Sequence, residues 1–254
     1  MRVSLSRRVV SMVVVLGCFS LTGCQGDQII GNRDWQYPPS STGAYINSKA
    51  AKPISAKVIV LPLVDLRGNA KKEEYWKVAI PLIPYGDSKY ERPETTENPE
   101  EVDVIRFDPP NDFSKAIAAE LSQAGIFSSV KYAEDEKQEK VDLVLRGNIR
   151  ATDWERRLTT WGLGPVGPAF WILGAPMSWT TTTLQMDLSL TPVNNPNKVL
   201  WRQKMIAEGN WTDGIYYNLK EPTKLFPESL QEALKEAVDD LVNIANENPQ
   251  QLMP

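Results

Sequence analysis

Apolar residues recur along this chain with two periods, and the changes between them outline a layered fold. Residues 57–66, KVIVLPLVDL, form an apolar β-branched run suited to a buried strand, with Pro62 marking an edge, a bulge or its end. Phe113, Ile117, Leu121 and Ala124 then share one helical face, with Asn111 or Asp112 placed to cap it and Gly125 to stop it. Short strands are expected at 127–132 and 141–151. From 182 to 191 the period is two: Leu184, Met186, Leu188 and Leu190 point one way. Asn194-Asn195-Pro196-Asn197 supplies a turn, and 198–207 returns as the hairpin partner. Leu230, Leu234, Ala237, Val238, Leu241 and Ile244 make the stripe of a helix over 227–247, opened by Pro227 and Glu228.

The order strand, helix, four strands, helix predicts an α/β (α+β) domain over residues 56–247. Its hairpins are antiparallel, so the sheet packed by these helices is mixed. Three stretches lack a period. Residues 24–55 are rich in Gly, Ser, Asn and Pro and read as a flexible tether. Residues 68–110 are a long Pro-rich, charged excursion with two apolar islands, Trp76 to Ile80 and Leu82 to Tyr85. Residues 248–254 read as a C-terminal tail, and 134–140 as a charged turn.

The first residues carry a different signal. Arg2, Arg7 and Arg8 precede an apolar run from Val9 to Phe19, the layout of a secretory signal and too short for a comfortable membrane span. Leu21, Thr22 and Gly23 before Cys24 resemble the lipobox of bacterial lipoproteins. That resemblance implies removal of residues 1–23, a thioether-linked diacylglycerol on Cys24 and acylation, with palmitate for instance, of its new amino group. Several acyl chains at about 0.8 kcal/mol per buried CH₂ give durable anchoring. Gln25, where an aspartate would signal inner-membrane retention, points to the outer membrane and its periplasmic face.

Composition narrows the chemistry. The chain has no histidine, the commonest general base near neutral pH and the commonest transition-metal ligand. Its two cysteines are Cys18, inside the signal, and Cys24, so the mature chain is expected to have no disulfide, thiol nucleophile or thiolate metal site. The formal charge of −4 becomes three units more negative without the signal. An acidic chain with no basic cluster repels phosphate backbones, which argues against nucleic acid as a partner. No catalytic constellation, metal site or cofactor motif emerges. Asp65, Asp103, Asp108, Asp112, Asp142, Asp153 and Asp187 leave open a carboxylate pair of the glycan-cleaving kind.

Residues 161–179, WGLGPVGPAFWILGAPMSW, hold no charge but four glycines and three prolines, so a spanning helix is excluded. Such a stretch either lines the core or forms an exposed loop that meets a membrane or a partner. In the second case Trp161, Phe170, Trp171 and Trp179 are its amphipathic anchors.

Three segments resemble a group of periplasmic lipoprotein domains. They are Leu61-Pro62-Leu63-Val64-Asp65-Leu66-Arg67, the helix end from Ala118 to Phe127, and Val141-Asp142-Leu143-Val144-Leu145-Arg146-Gly147-Asn148-Ile149. The group comprises the curli-secretion lipoprotein, the lipoprotein activators of penicillin-binding proteins and the N-terminal domain of the Tol-system propeller protein. The resemblance covers roughly 56–207 and implies a binding role without catalysis. The expectation is therefore a non-enzymatic docking or assembly component of the cell envelope, with other envelope proteins as partners and a homo-oligomer possible. An export-channel subunit of the curli type and a carboxylate-dependent cell-wall hydrolase are the alternatives.

Overall fold

Two amphipathic helices lie side by side on one face of a mixed eight-stranded sheet. The computed structural model describes residues 33–39, 41–93, 105–136, 140–218 and 226–254. Its strands are β1 (Arg33–Asp34), β2 (Ile54–Val60), β3 (Val64–Asp65), β4 (Lys71–Glu73), β5 (Tyr85–Tyr90), β6 (Ile105–Arg106), β7 (Phe127–Tyr132), β8 (Leu143–Thr159), β9 (Ser178–Pro192) and β10 (Trp201–Asp213). Its helices are α1 (Pro109–Ala124), α2 (Pro168–Ile172) and α3 (Phe226–Glu247). The main sheet runs β10-β9-β8-β2-β7, parallel at β2–β7 and β2–β8 and antiparallel at β8–β9 and β9–β10. This is the mixed α/β class expected from the sequence.

β2 sits between two parallel neighbours, which explains why Val58, Ile59 and Val60 are all buried without alternation. Its Ala56 and Val58 join Leu184, Met186, Leu188 and Leu190 of β9 in one core. Phe113, Ile117 and Leu121 of α1 and Leu230, Leu234 and Leu241 of α3 close that core from above. On the opposite face a small apolar cluster of Ile59, Val144 and Ala133 is buried.

The longest strand decides the shape. β8 has 17 residues, and β9 accompanies it from Leu143↔Pro192 to Leu158↔Ser178. On its other side β8 pairs first with β2, then with β3, and at Trp154 to Thr159 with β5. A ribbon of β4, β5, β8, β9 and β10 thus projects beyond the helix-covered body. A β-bulge between Ile149 and Ala151 changes the parity of β8. Leu143, Leu145 and Ile149 face the helices before it, and Thr152, Trp154 and Arg156 face that side after it.

Several sequence expectations are corrected. The strand expected over 57–66 ends at Val60; Pro62, which lacks an N–H, lies in the gap before β3. α1 begins at Pro109, so Asn111 and Asp112 fall inside its first turn. Asp112 still serves the helix start, its carboxylate accepting the Asp108 N–H at 2.7 Å. Gly125 stops the helix at φ 63 as expected. Part of the 68–110 excursion is the β4–β5 hairpin annealed to β8, while 94–104 lie outside the described residues. The segment expected as a tether is, from Trp35 onward, a strap across α1 and α3. Trp35 packs on Phe107 and Phe113 at 5.5 and 5.6 Å, and Glu120 of α1 accepts the Tyr37 hydroxyl and the Ile46 N–H. The expected tail turns back at Pro249–Leu252 and buries Leu252 completely.

Candidate docking site

The inner face of the ribbon changes character beyond the helices. Ser229 of α3 lies 3.5 Å from Thr182, hydroxyl to hydroxyl, and past that level β9 presents Thr180 and Ser178 in place of leucine. Asp213, at the end of β10, is buried there. Its carboxylate accepts the hydroxyls of Ser178 (3.1 Å) and Thr180 and stands 3.7 Å from the Arg156 guanidinium. Arg156 in turn lies over the Trp154 ring, 5.0 Å from its centroid. Hydrogen-bonded ions and hydroxyls pin the three strand ends together where no leucine layer does.

Three loops leave this pinned end and meet one another. The first, 75–84, joins β4 to β5; the second, 160–177, joins β8 to β9; the third, 214–218, follows β10. Leu82 N–H donates to Gly162 O at 2.8 Å, and the Thr160 hydroxyl to Val78 O at 2.9 Å, which links the first two. The Tyr216 hydroxyl donates to Ile172 O at 3.0 Å, which links the third. Gly167 shows why the central loop needs glycine. A Cβ there would stand 2.3 Å from Thr160 Cβ and 2.6 Å from Thr160 O, so the loop folds against its own strand end only without one. Leu82, Trp161 and Asn218 all have positive φ (69°, 59° and 53°), and all three lie in these loops. For bulky residues this conformation costs about 1–3 kcal/mol and persists where the surroundings dictate it.

The result is an apolar tip. Leu82 is 90% exposed, Leu173 81%, Val166 67% and Ile172 63%, with Trp76, Ile215 and Tyr216 also exposed beside them. α2 buries none of its residues. Of the four anchors expected from the sequence, Trp161 and Phe170 are exposed on this surface. Trp171 and Trp179 are half-buried beneath it. The Trp171 Nε1–H donates to Thr159 O at 2.8 Å, and Trp179 meets Tyr85 and Trp161 edge-on at 6.0 Å each. These two rings hold the loop in place; the aliphatic residues present the surface. A core-lining role for 161–179 does not fit this exposure. The stretch 161–179 and the islands Trp76 to Ile80 and Leu82 to Tyr85 stood out in the sequence; that they join Ile215 and Tyr216 on one surface did not.

The carboxylates do not gather. Asp65 is held by Arg67 at 2.8 Å and by Arg92 at 3.2 Å, and the Arg67 hydrogen bond keeps its carboxyl below the usual value. Asp142 accepts the Lys57 N–H, Asp153 faces Lys89, Asp187 pairs with Arg150, and Asp108 and Asp112 serve the start of α1. Asp103 lies outside the described residues, as do Leu21, Thr22, Gly23 and Cys24. Among the described residues no group of three His, Cys, Asp or Glu side chains is placed to hold a metal, and no helix is long and apolar enough to cross a membrane.

No known family model and no curated protein matches this chain. Solved structures give loose likenesses. A Xanthomonas campestris protein of the DUF330 family aligns over 87% of this chain and 97% of its own, with 12% identity and a TM-score of 0.42. The PelC dodecamer from Paraburkholderia phytofirmans aligns over 74% and 93%, with 14% identity and a TM-score of 0.35. A neuraminyllactose-binding hemagglutinin homologue from Helicobacter pylori aligns over 82% and 92%, with 10% identity and a TM-score of 0.36. At these values no residue role passes from those proteins to this one.

Proposed function

We propose that the chain is a lipid-anchored lipoprotein on the periplasmic face of the bacterial outer membrane, a non-enzymatic docking component of an envelope assembly. The exposed apolar tip carries this reading. Soluble proteins rarely leave a contiguous apolar surface uncovered, and here one is built by three loops, stiffened by interloop hydrogen bonds and set at the end of a ribbon. The Leu21-Thr22-Gly23-Cys24 lipobox supplies the anchor. Against a hydrolase, Asp65, Asp142, Asp153 and Asp187 are each engaged by a different local partner. Against a channel subunit, Leu184, Met186, Leu188, Leu190 and Met205 of the ribbon are committed to the helix-covered core, and the opposite side carries Arg202, Lys204, Glu208, Asp153, Glu155 and Arg157 beside the exposed Ile206.

The test has two parts. Mass spectrometry of the N-terminal peptide checks for diacylglycerol and acyl groups on Cys24. Crosslinking in cells, with the crosslinker at Val166 or Ile172 and then at Glu208 on the ribbon's polar face, checks the surface. Adducts confined to the tip positions, whether to protein or to lipid, support the proposal. Equal adducts at Glu208, or an unmodified Cys24, refute one half of it each.

A further inference from the structure

We infer that the tip docks on lipid, inserting shallowly into the leaflet that holds the Cys24 acyl chains. This rests on the docking reading above and names its target. The three loops form a surface almost free of charge: Lys77 is their one charged residue, and no Asp, Glu, Lys or Arg occurs at 78–86, 158–186 or 214–218. Lys77 is paired with Glu74 at 2.7 Å, Asp87 with Arg157 at 3.1 Å, and Asp213, just before the third loop, is buried. Aliphatic and aromatic side chains are interleaved across this surface. Leu82, Leu173, Val166 and Ile172 are the most exposed aliphatic residues of the surface, with Trp76, Trp161, Tyr85 and Tyr216 among them and Trp179 half-buried below. Aromatic rings at such a boundary suit the headgroup level, where one end is wet and the other apolar.

The backbone distinguishes lipid from a protein groove. A loop in water or against a protein can leave its N–H groups to outside acceptors; a loop in hydrocarbon cannot. Here Leu163, Val166, Gly167, Phe170, Leu173 and Ala175 all donate to carbonyls of the same loop. Pro165, Pro168 and Pro176 have no N–H to satisfy, nor do Pro81 and Pro84 in the neighbouring loop. The Trp171 and Tyr216 donors are used internally as well. Protein interfaces carry about one hydrogen bond per 100–200 Å². In the central loop six N–H groups are used internally and three prolines have none, which leaves fewer donors for such bonds.

Reach permits it. Phe107 beside Trp35 stacks on Phe226, three residues from the Ser229 that faces Thr182. From Thr182 to the strand end at Ser178 is about 13 Å of strand. The residues from Cys24 to Arg33 span at most about 30 Å when extended. The tether is thus of the same order as the length of ribbon beyond the helices, and tip and acyl chains in one leaflet would give the anchor a second, apolar foot.

The experiment uses the full lipidated chain in phosphatidylcholine vesicles. With Cys18 removed and Cys24 blocked, Leu82→Cys, Leu173→Cys and the control Glu208→Cys each carry one environment-sensitive fluorophore. The expected result is several-fold stronger quenching of the two tip labels by acyl-chain nitroxides than of the control. Shielding of both from aqueous iodide, unchanged in high salt, is expected with it. Tip labels as open to iodide as Glu208, with the lipid on Cys24 intact, overturn insertion and leave the anchor standing. Shielding that appears only after periplasmic extract is added also overturns it, in favour of a protein. Nitroxide quenching of the tip in a chain whose Cys24 proves unmodified upholds insertion and refutes the anchor.

Discussion

Glu120 offers the sharpest test of how the N-terminal strap is held. Its side chain is fully buried on α1, one oxygen accepting the Tyr37 hydroxyl and the other the Ile46 N–H at 2.9 Å. Glu120→Ala strands both donors in a water-excluded site, at about 1–3 kcal/mol each. The loss of stability is therefore expected at roughly 2–5 kcal/mol, a fall in Tm of roughly 5–15 °C for a fold of this size. Glu120→Gln behaves differently, because the amide carbonyl can accept the Ile46 N–H while its NH₂ donates to the Tyr37 oxygen. Burial raises the Glu120 carboxyl above its ordinary 4.5, and the two hydrogen bonds only partly oppose this. A carboxyl raised by folding contributes stability that is complete below about pH 4.5 and is lost as pH rises through the folded value. Glu120→Gln should match the wild type near neutrality and flatten this acid-side gain. Thermal melts from pH 4 to 8, with hydrogen exchange at the Ile46 amide, measure both effects. If Glu120→Ala costs less than about 1 kcal/mol and leaves Ile46 protected, the strap is held by something else.

Other positions test the body, the ribbon and the tip. Phe113→Ala empties a fully buried ring position against Trp35 and Phe107 and should cost about 3–5 kcal/mol by denaturant titration. Gly147→Ala places a Cβ 2.4 Å from Asp187 O and 2.8 Å from Leu63 Cδ2, where β8 passes from β2 to β3. A midpoint shift of about 1–3 kcal/mol with an unchanged m-value is expected. Asp213→Ala removes the carboxylate shared by Ser178, Thr180 and Arg156 and should cost about 3–5 kcal/mol, with faster hydrogen exchange at the ends of β9 and β10. The pair Leu82→Ser and Leu173→Ser should change stability by no more than about 0.5 kcal/mol each while abolishing binding of an apolar dye.

The helices and the core half of the ribbon were legible because their burial is periodic. Leu184, Met186, Leu188 and Leu190 alternate against one helix layer, and α3 carries an unbroken apolar stripe. The outer half of the ribbon was not legible. Ser178, Thr180 and Thr182 are as buried as those leucines, yet a run of threonines gives no hydrophobic signal; their burial is offset by hydroxyl bonds to Asp213 and Ser229. The strap hid for a related reason: Tyr37 and Ile46 are held by a single glutamate seventy-four or more residues away, a contact with no local pattern. Of the tip, the glycine-rich stretch stood out by composition. Its convergence with Leu82 depends on β5 annealing to β8, a long-range pairing that no short window reveals, and that with Tyr216 on β10 following β9 to its very end.

The bulge between Ile149 and Ala151 acts as a reading frame for the ribbon. Its extra residue is why Thr152, Trp154 and Arg156 turn inward while Asp153, Glu155 and Arg157 stay wet. Deleting one residue there would reverse the two sets and drive three charges under the sheet. Insertions or deletions along β8 are thus tolerable in twos and ruinous singly.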